Sequence, residues 1–443
     1  MLKSSTHHNL YSGLGLIVIA YLTIGTLYAV YTPDWQVPDE PAHYNYIRHL
    51  VEVGEFPVLR HGDYDQTYLE ELTSNGFPVH MSVASLSYEG HQPPLYYLLS
   101  VPIYRATNGS LLALRLFSLG IGAGVVILAG LAVQRLLPHS VPLVLTAAGF
   151  VAFIPQHIAM MAAVNNDSLA EFWVALAIFL LFSFDRSNPV AGFRTYLALG
   201  LVIGLAFLTK STVYSIALPA GLMLVLRARR APGQWGQLVV VFLPALILGA
   251  LWWGRNVAVY GWPDLMGLQR HESVVFGQPR TVEWLADYGF WDVTFRFLRT
   301  TFNSFWGQFG WMGVPMDVRV YKLLMFFSIV ILSGLGVACW RRPVLTDNQR
   351  DGLLILFILG FLTFLQYFGY NLTFVQHQGR YLFPALLPLG IAVAAGMWGW
   401  AALISHMSPR LASAVRWLPV TFVPFLAALD VFALFRFIVG ALA

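Results

Sequence analysis

Apolar residues run along this chain in unbroken blocks, with neither the alternation of a half-buried strand nor the single stripe of a surface helix. The blocks cover about 11–31, 110–137, 141–161, 168–184, 194–209, 212–228, 236–256, 320–340, 352–370, 380–404 and 416–441. About 20 apolar residues in helical form cross the roughly 30 Å of a bilayer's hydrocarbon. Lipid offers the backbone no hydrogen-bond partner, so such blocks must be helical. The pattern predicts an all-α polytopic membrane protein of about eleven transmembrane helices, forming one domain over residues 1–443. The segments 194–209 and 212–228 also read as one bent hairpin around Lys210, and 141–161 meets Pro155 before its end.

Two long polar stretches, about 32–109 and 257–319, interrupt the apolar blocks. The first is not a linker. After Asp39 and Glu40, the residues Ile47, Leu50 and Val51 recur at helical spacing, which predicts a short amphipathic helix ended by Gly54 and Pro57. A second, weaker helix is expected over 65–73. The run from His91 to Ala106 is short for a span and reads as an interfacial or re-entrant helix with Pro93 or Pro94 in its first turn. The second stretch carries Trp284, Trp291, Trp306 and Trp311, as expected of segments lying at a membrane interface.

Composition agrees with the pattern. The chain is 57% hydrophobic and 11% charged, with a mean hydropathy of +0.64, whereas a soluble domain is about a quarter charged. A net charge of +4 brings nucleic acid to mind, but the basic residues are scattered over short connections instead of forming a stripe, so no nucleic-acid partner is expected. The one cysteine, Cys339, lies inside an apolar block and says nothing firm about compartment. The first apolar block ends without a small-residue cleavage pattern and reads as a retained span.

Charge also assigns sides. With a cytoplasmic N-terminus in the plasma membrane, the inner connections hold Lys3, Arg135, Arg186, Arg194, Arg227, Arg229, Arg230, Arg341, Arg342, Arg350, Arg410 and Arg416. Only Asp185, Asp347 and Asp351 oppose them, and both long polar loops fall outside, as the positive-inside rule asks. This topology brings five polar clusters to the extracytoplasmic face: Asp39–Glu40 with His43, His91–Gln92, Asn165–Asn166–Asp167, Arg255–Asn256, and His377 to Arg380. Lys210 joins them.

Each cluster has a chemical and a plainer reading. Asp39 or Glu40 could deprotonate an acceptor hydroxyl, the pair could hold a divalent cation, or Asp39 could simply cap the helix that follows. His43 and His91 could orient a phosphate or bind metal, although neither belongs to a pair with zinc-site spacing. Arg255, Lys210 and Arg380 suit a lipid-linked phosphate at headgroup depth, against the alternative of cations snorkelling to water. Asn166 and Asp167 could support the site or only cap a helix. No phosphate-cradling loop, dinucleotide fingerprint or nucleophile elbow occurs at a plausible strand–helix junction, which argues against direct use of a nucleotide.

In order, the strings VPDEPAHYNYIRHLVEVGEFP, HQPPLYYLL, NNDSLA, GLAFLTKST, GRNVAVYGWPD, SFWGQFGW and QGRYLFPALLPL resemble membrane glycosyltransferases of the GT-C fold. The match is best with a prokaryotic branch of predicted membrane proteins and runs from the first span to about residue 390. The resemblance implies an outward-facing transferase, inverting at the sugar, that takes a sugar from a polyprenyl-phosphate donor and gives it to an acceptor glycan, lipid or protein among the membrane lipids. It implies Asp39 as catalytic base, with Glu40 as its partner or a metal ligand. Arg255, Arg380, Lys210 and His91 would contact the donor phosphate, and His43, Asn166, Asp167 and His377 would support the acceptor or the site. Where relatives carry a lysine or histidine before the paired prolines, this chain has Gln92, with His91 one place earlier. Some members need a divalent metal, Mg or Mn, and others do not. The rival reading is a lipid or solute transporter of the envelope; such proteins place their sites at the bilayer midplane between internal repeats, and no repeat is visible here.

Overall fold

A computed structural model describes residues 2–138, 140–184, 192–230 and 233–442. Asp185 and Arg186, used above to assign sides, lie outside the described residues. The chain opens with α1 (Leu2–Tyr31) and enters the first loop through α2 (Glu40–Glu52) and α3 (Gln66–Ser74), returning by α4 (Leu95–Ala106). Then follow α5 (Leu111–Leu136), α6 (Val141–Ala152), α7 (Pro155–Met161), α8 (Asp167–Leu181), α9 (Phe193–Phe207), α10 (Ala217–Arg230) and α11 (Gly236–Tyr260). The second loop holds α12 (Leu268–Val274), α13 (Thr281–Tyr288), α14 (Phe290–Trp306) and a two-residue hairpin pairing Gln308–Phe309 with Val314–Pro315. The chain closes with α15 (Val318–Trp340), α16 (Asp347–Asn371), α17 (Leu386–Met407), α18 (Ala412–Val415), α19 (Val423–Ala433) and α20 (Val439–Leu442).

All eleven apolar segments are helical, but the spans do not number eleven by length. Among the described residues eight helical stretches are long and apolar enough to cross a membrane, or nine if α6 and α7, bent by 65°, count as one. Pro155 is the cause of that bend: it lacks the N–H that would continue α6. The helices α8 and α9 have 15 residues each. At 1.5 Å per residue they reach only about 22 Å, short of a full crossing.

Backbone approach holds the bundle together where lipid provides no hydrophobic drive. Gly334 of α15 faces Gly396 and Gly399 of α17 so closely that a Cβ at any of the three would strike backbone across the interface. The first loop has a core of its own. Leu59, Leu72, Leu86, Tyr64 and Tyr88 pack with Val274 and Val275 from the second loop, so the two polar stretches form one cap. The amphipathic helix expected after Asp39 is α2, the weaker one is α3, and the HQPPLYY run becomes α4 with Pro94 at its N-cap. The amide of Leu95 donates to Leu208 O, tying α4 to the end of α9 and hence to Lys210.

Candidate active site

Pro38 and Pro41 bracket a turn in which Asp39 adopts left-handed backbone geometry, φ 69° and ψ −7°. Asp is among the few side chains that tolerate this region. The carboxylate makes no capping bond to α2. Oδ2 accepts from Arg380 Nη2 at 2.6 Å and Oδ1 from the Tyr88 hydroxyl at 2.9 Å. Burial pushes the Asp39 carboxyl up, but the charges of Arg380 and His43 outweigh it and hold the group below its ordinary value of 3.8. Its side chain remains 27% exposed, so the ion pair is open on one side.

The neighbouring carboxylate does something different. Glu40 turns inward, fully buried, and accepts from Arg115 Nε at 2.8 Å and Nη2 at 2.6 Å. Arg115 also donates to the carbonyls of Ala29, Thr32 and Pro33, and the Val164 amide donates to Glu40 Oε1. All five guanidinium donors are thereby matched. The expectation of Glu40 as base partner or metal ligand meets a structural obstacle, because its oxygens pin together α1, α2, α5 and the turn before α8. Among the described residues no group of three or more His, Cys, Asp or Glu is arranged to hold a metal.

Residues distant in sequence do converge around Asp39. Asp167, at the start of α8, accepts from Lys210 Nζ at 2.6 Å. Asn166 Nδ2 reaches Gln92 Oε1 at 3.3 Å and Thr209 O at 3.2 Å, which locks the HQPP turn against both helix ends. His43 Nδ1 lies 2.8 Å from the Tyr97 hydroxyl, and burial lowers its pKa against the opposite pull of the Glu89 charge. Glu89 faces the same space with His43, Asp39 and Lys210. No sequence signal singled out Glu89, Tyr88 or Arg115; the nearest hint is that Tyr88 and Glu89 directly precede the HQPP turn.

Three expected residues sit elsewhere. Arg255 donates to Pro57 O and the Tyr260 hydroxyl and lies over Trp252, so it braces α11 against the first loop. His377 is buried between Trp284 and Phe297, an aromatic setting that lowers its pKa to about 4. His91 packs against His271 with ring centroids 4.5 Å apart, at the seam of the two loops. Burial lowers both, to about 4 for His91 and about 3 for His271. A histidine whose folded pKa is depressed is fully stabilising above its unfolded value and loses that contribution as pH falls. The cap is therefore expected to loosen as pH drops from about 6.5 towards 4. Thermal unfolding across that range should show a slope that the His91→Gln, His271→Gln double variant flattens.

A cavity of about 530 Å³ lies at the far ends of α5, α8 and α10, lined by Arg135, Phe184, Arg227 and Thr346 among others. Volume alone would place a site there. The convergent acids and bases are at the other end, and they make that end the candidate site.

A family model described as "Predicted membrane protein (DUF2142)" matches residues 77–389. The chain belongs to that family. No curated protein matches the DUF2142 chain in sequence. Its fold is GT-C, as solved structures show. The crystal structure of ArnT from Cupriavidus metallidurans bound to undecaprenyl phosphate aligns with TM-score 0.51 and 16% identity, covering 96% of this chain and 73% of that one. The same protein in its apo state gives a TM-score of 0.54 at 15% identity, with the same coverage. The archaeal oligosaccharyltransferase AglB from Archaeoglobus fulgidus, in complex with an inhibitory peptide and a dolichol-phosphate, gives 0.51 at 13% identity and covers 98% of this chain. The DUF2142 chain spans 56% of that archaeal protein's length. By family and by its apolar helices, this is a multi-helix membrane protein.

Proposed function

We propose that this protein is an inverting GT-C glycosyltransferase that moves a sugar from a polyprenyl-phosphate donor to an acceptor hydroxyl at the extracytoplasmic membrane face. The observation that carries the reading is the Asp39–Arg380 pair at 2.6 Å, half-open and backed by Lys210–Asp167. Two cations beside an ionised carboxylate support the reading, because a lipid-linked phosphate calls for the first and an acceptor hydroxyl for the second.

The chemistry follows from exchange of partners. A donor phosphate competes with Asp39 for Arg380, since a guanidinium pairs with phosphate as readily as with carboxylate. Drawing Arg380 away leaves Asp39 with only the Tyr88 hydroxyl, and its basicity rises as the donor arrives. Asp39 then removes the acceptor proton, the acceptor oxygen attacks the anomeric carbon, and the bond from that carbon to the phosphate oxygen breaks. Arg380 and Lys210 meet the charge that grows on the departing phosphate, where preorganised cations have their largest effect. Binding of undecaprenyl or dolichol phosphate by the fold neighbours supports the carrier class.

The test is sugar release from a panel of labelled polyprenyl-phosphate sugars by purified protein in lipid nanodiscs. Slow transfer to water exposes a matching donor without an acceptor. Release from one donor is the expected outcome. No release from any, with EDTA and with added Mg or Mn, sinks the transferase reading, and solute or lipid flux becomes the assay.

A further inference from the structure

At the end of the bundle away from Asp39, the cavity of about 530 Å³ carries chemistry of its own. The helix α8 starts at Asp167 in the candidate site and stops at Leu181 beside that cavity, so about 22 Å of helix separates the two. A space of this size falls within the roughly 300–1,000 Å³ of small-molecule sites. Arg135 Nη1 donates to Phe179 O at 2.8 Å and to the Ser183 hydroxyl, and its guanidinium carbon stands 3.5 Å from the Phe179 ring centre. Among the described residues no carboxylate pairs with it. Arg227, from α10, is 7% exposed and lies over the Phe184 ring at 5.2 Å. Snorkelling does not account for that, since a snorkelling cation ends in water, as the exposed Arg229 does two places on. Asp351 is the one acid among the described lining residues, and its Oδ2 already accepts from Arg230 Nη1 at 2.7 Å. Asp185 and Arg186, which follow Phe184 outside the described residues, add one charge of each sign. The lining is therefore positive by two guanidiniums. Thr346 Oγ1 accepts from the Gln349 amide at 3.3 Å, which leaves the hydroxyl proton to donate.

We propose that this cavity is a second binding site, one that takes a phosphate group with Arg135 and Arg227 as its cations and Thr346 as a neutral donor. A guanidinium offers phosphate two parallel N–H bonds in a fixed fork, which a point charge cannot. Leu136, Leu181 and Met223 line the rest of the space and suit the uncharged part of whatever bears the phosphate. The cavity lies among helix ends, at the depth of a bilayer's headgroups, and basic pockets between spans hold anionic headgroups. A soluble phosphate ester has the same recognition chemistry. Neither arginine takes part in the reaction proposed above, so the site stands apart from the transferase reading. Its lining comes from α5, α8, α10 and α16, and a ligand that touches all four and binds only the folded protein raises its stability.

The experiment follows thermal unfolding of delipidated protein in maltoside micelles, which carry no phosphate. Phosphatidylglycerol is titrated into the micelles in one arm and glycerol 3-phosphate into the buffer in the other. Wild type is compared with Arg135→Gln, Arg227→Gln and, as a control, Arg410→Gln, an exposed arginine beyond α17 at the same end but outside the cavity. At least one probe should raise the Tm of wild type and of Arg410→Gln, and raise that of Arg135→Gln far less. The apparent Kd for that probe should weaken about tenfold or more with one arginine gone, the scale of a charge-assisted hydrogen bond. A shift with phosphatidylglycerol names a lipid headgroup and a shift with glycerol 3-phosphate a soluble ester; either supports the site. Arg135 is exposed, so its variant keeps the test decisive where the buried Arg227→Gln fails to fold. No shift from either probe overturns the proposal. So does a shift that Arg135→Gln leaves intact, or one that Arg410→Gln weakens as much, since general surface charge then accounts for it.

Discussion

Replacing Asp39 by Asn is expected to cut sugar release roughly 10²–10⁴-fold, the contribution of a positioned general base, while the protein folds as before. Asn is the informative substitution for a backbone reason. Residue 39 sits at φ 69°, and Asn tolerates the left-handed region as Asp does, whereas alanine would add strain there. The amide keeps the shape and can still accept from Tyr88, but it cannot take a proton. Sign and window follow from the shift: the Asp39 carboxyl lies below 3.8, so its basic form is present at neutral pH and is lost only as pH falls through that depressed value. The wild-type kcat/KM, which reports the free enzyme, should therefore hold from neutrality well into the acid range, while the acid limb of kcat should lie higher because the donor draws Arg380 away. Single-turnover release and thermal unfolding on the same preparations check both halves. Retained activity in the variant would remove Asp39 from the role of base.

The largest effect on stability is expected one residue away. Arg115→Ala should destabilise the protein by about 3–5 kcal/mol, the usual cost of stranding one member of a buried ion pair. It leaves Glu40 without its cation at 0% exposure and strips partners from the Ala29, Thr32 and Pro33 carbonyls. Glu40→Gln should weaken the fold less, since an amide still accepts from the guanidinium and from Val164. The double variant Arg115→Met, Glu40→Leu should recover much of the lost stability, because a buried pair is often replaceable by apolar residues of similar volume. Thermal unfolding and the monodisperse fraction in detergent measure this. If instead Glu40→Gln abolished sugar transfer at unchanged stability, Glu40 would act in the chemistry and not as a strut.

Much of the architecture was legible because lipid leaves few choices. An apolar block must be helix, and eleven such blocks are. Their lengths were less legible: α8 and α9 merge into polar turns at Asn166 and Lys210, where the chain leaves the bundle to build the site. The convergence of Asp39, Lys210, Asp167 and Arg380 could be foreseen as a matter of sidedness, although which cation would pair with which acid could not. Adjacent letters misled at Asp39–Glu40. Two neighbouring carboxylates look like one functional pair, but the left-handed turn at Asp39 sends the first to Arg380 and the second to Arg115. Arg115 itself hides inside an apolar block, where nothing local separates a buried strut from a snorkelling cation.

The Asp39–Arg380 contact also has a timetable. Its members are 341 residues apart, and a ribosome adding roughly 5–20 residues per second needs about 17–70 s to make that stretch. The Asp39 carboxylate is thus made long before the cation that pairs with it exists. Over the later part of that interval Lys210 is the one of the two paired cations already made. Whatever chemistry the pair serves can begin only once the last third of the chain is made.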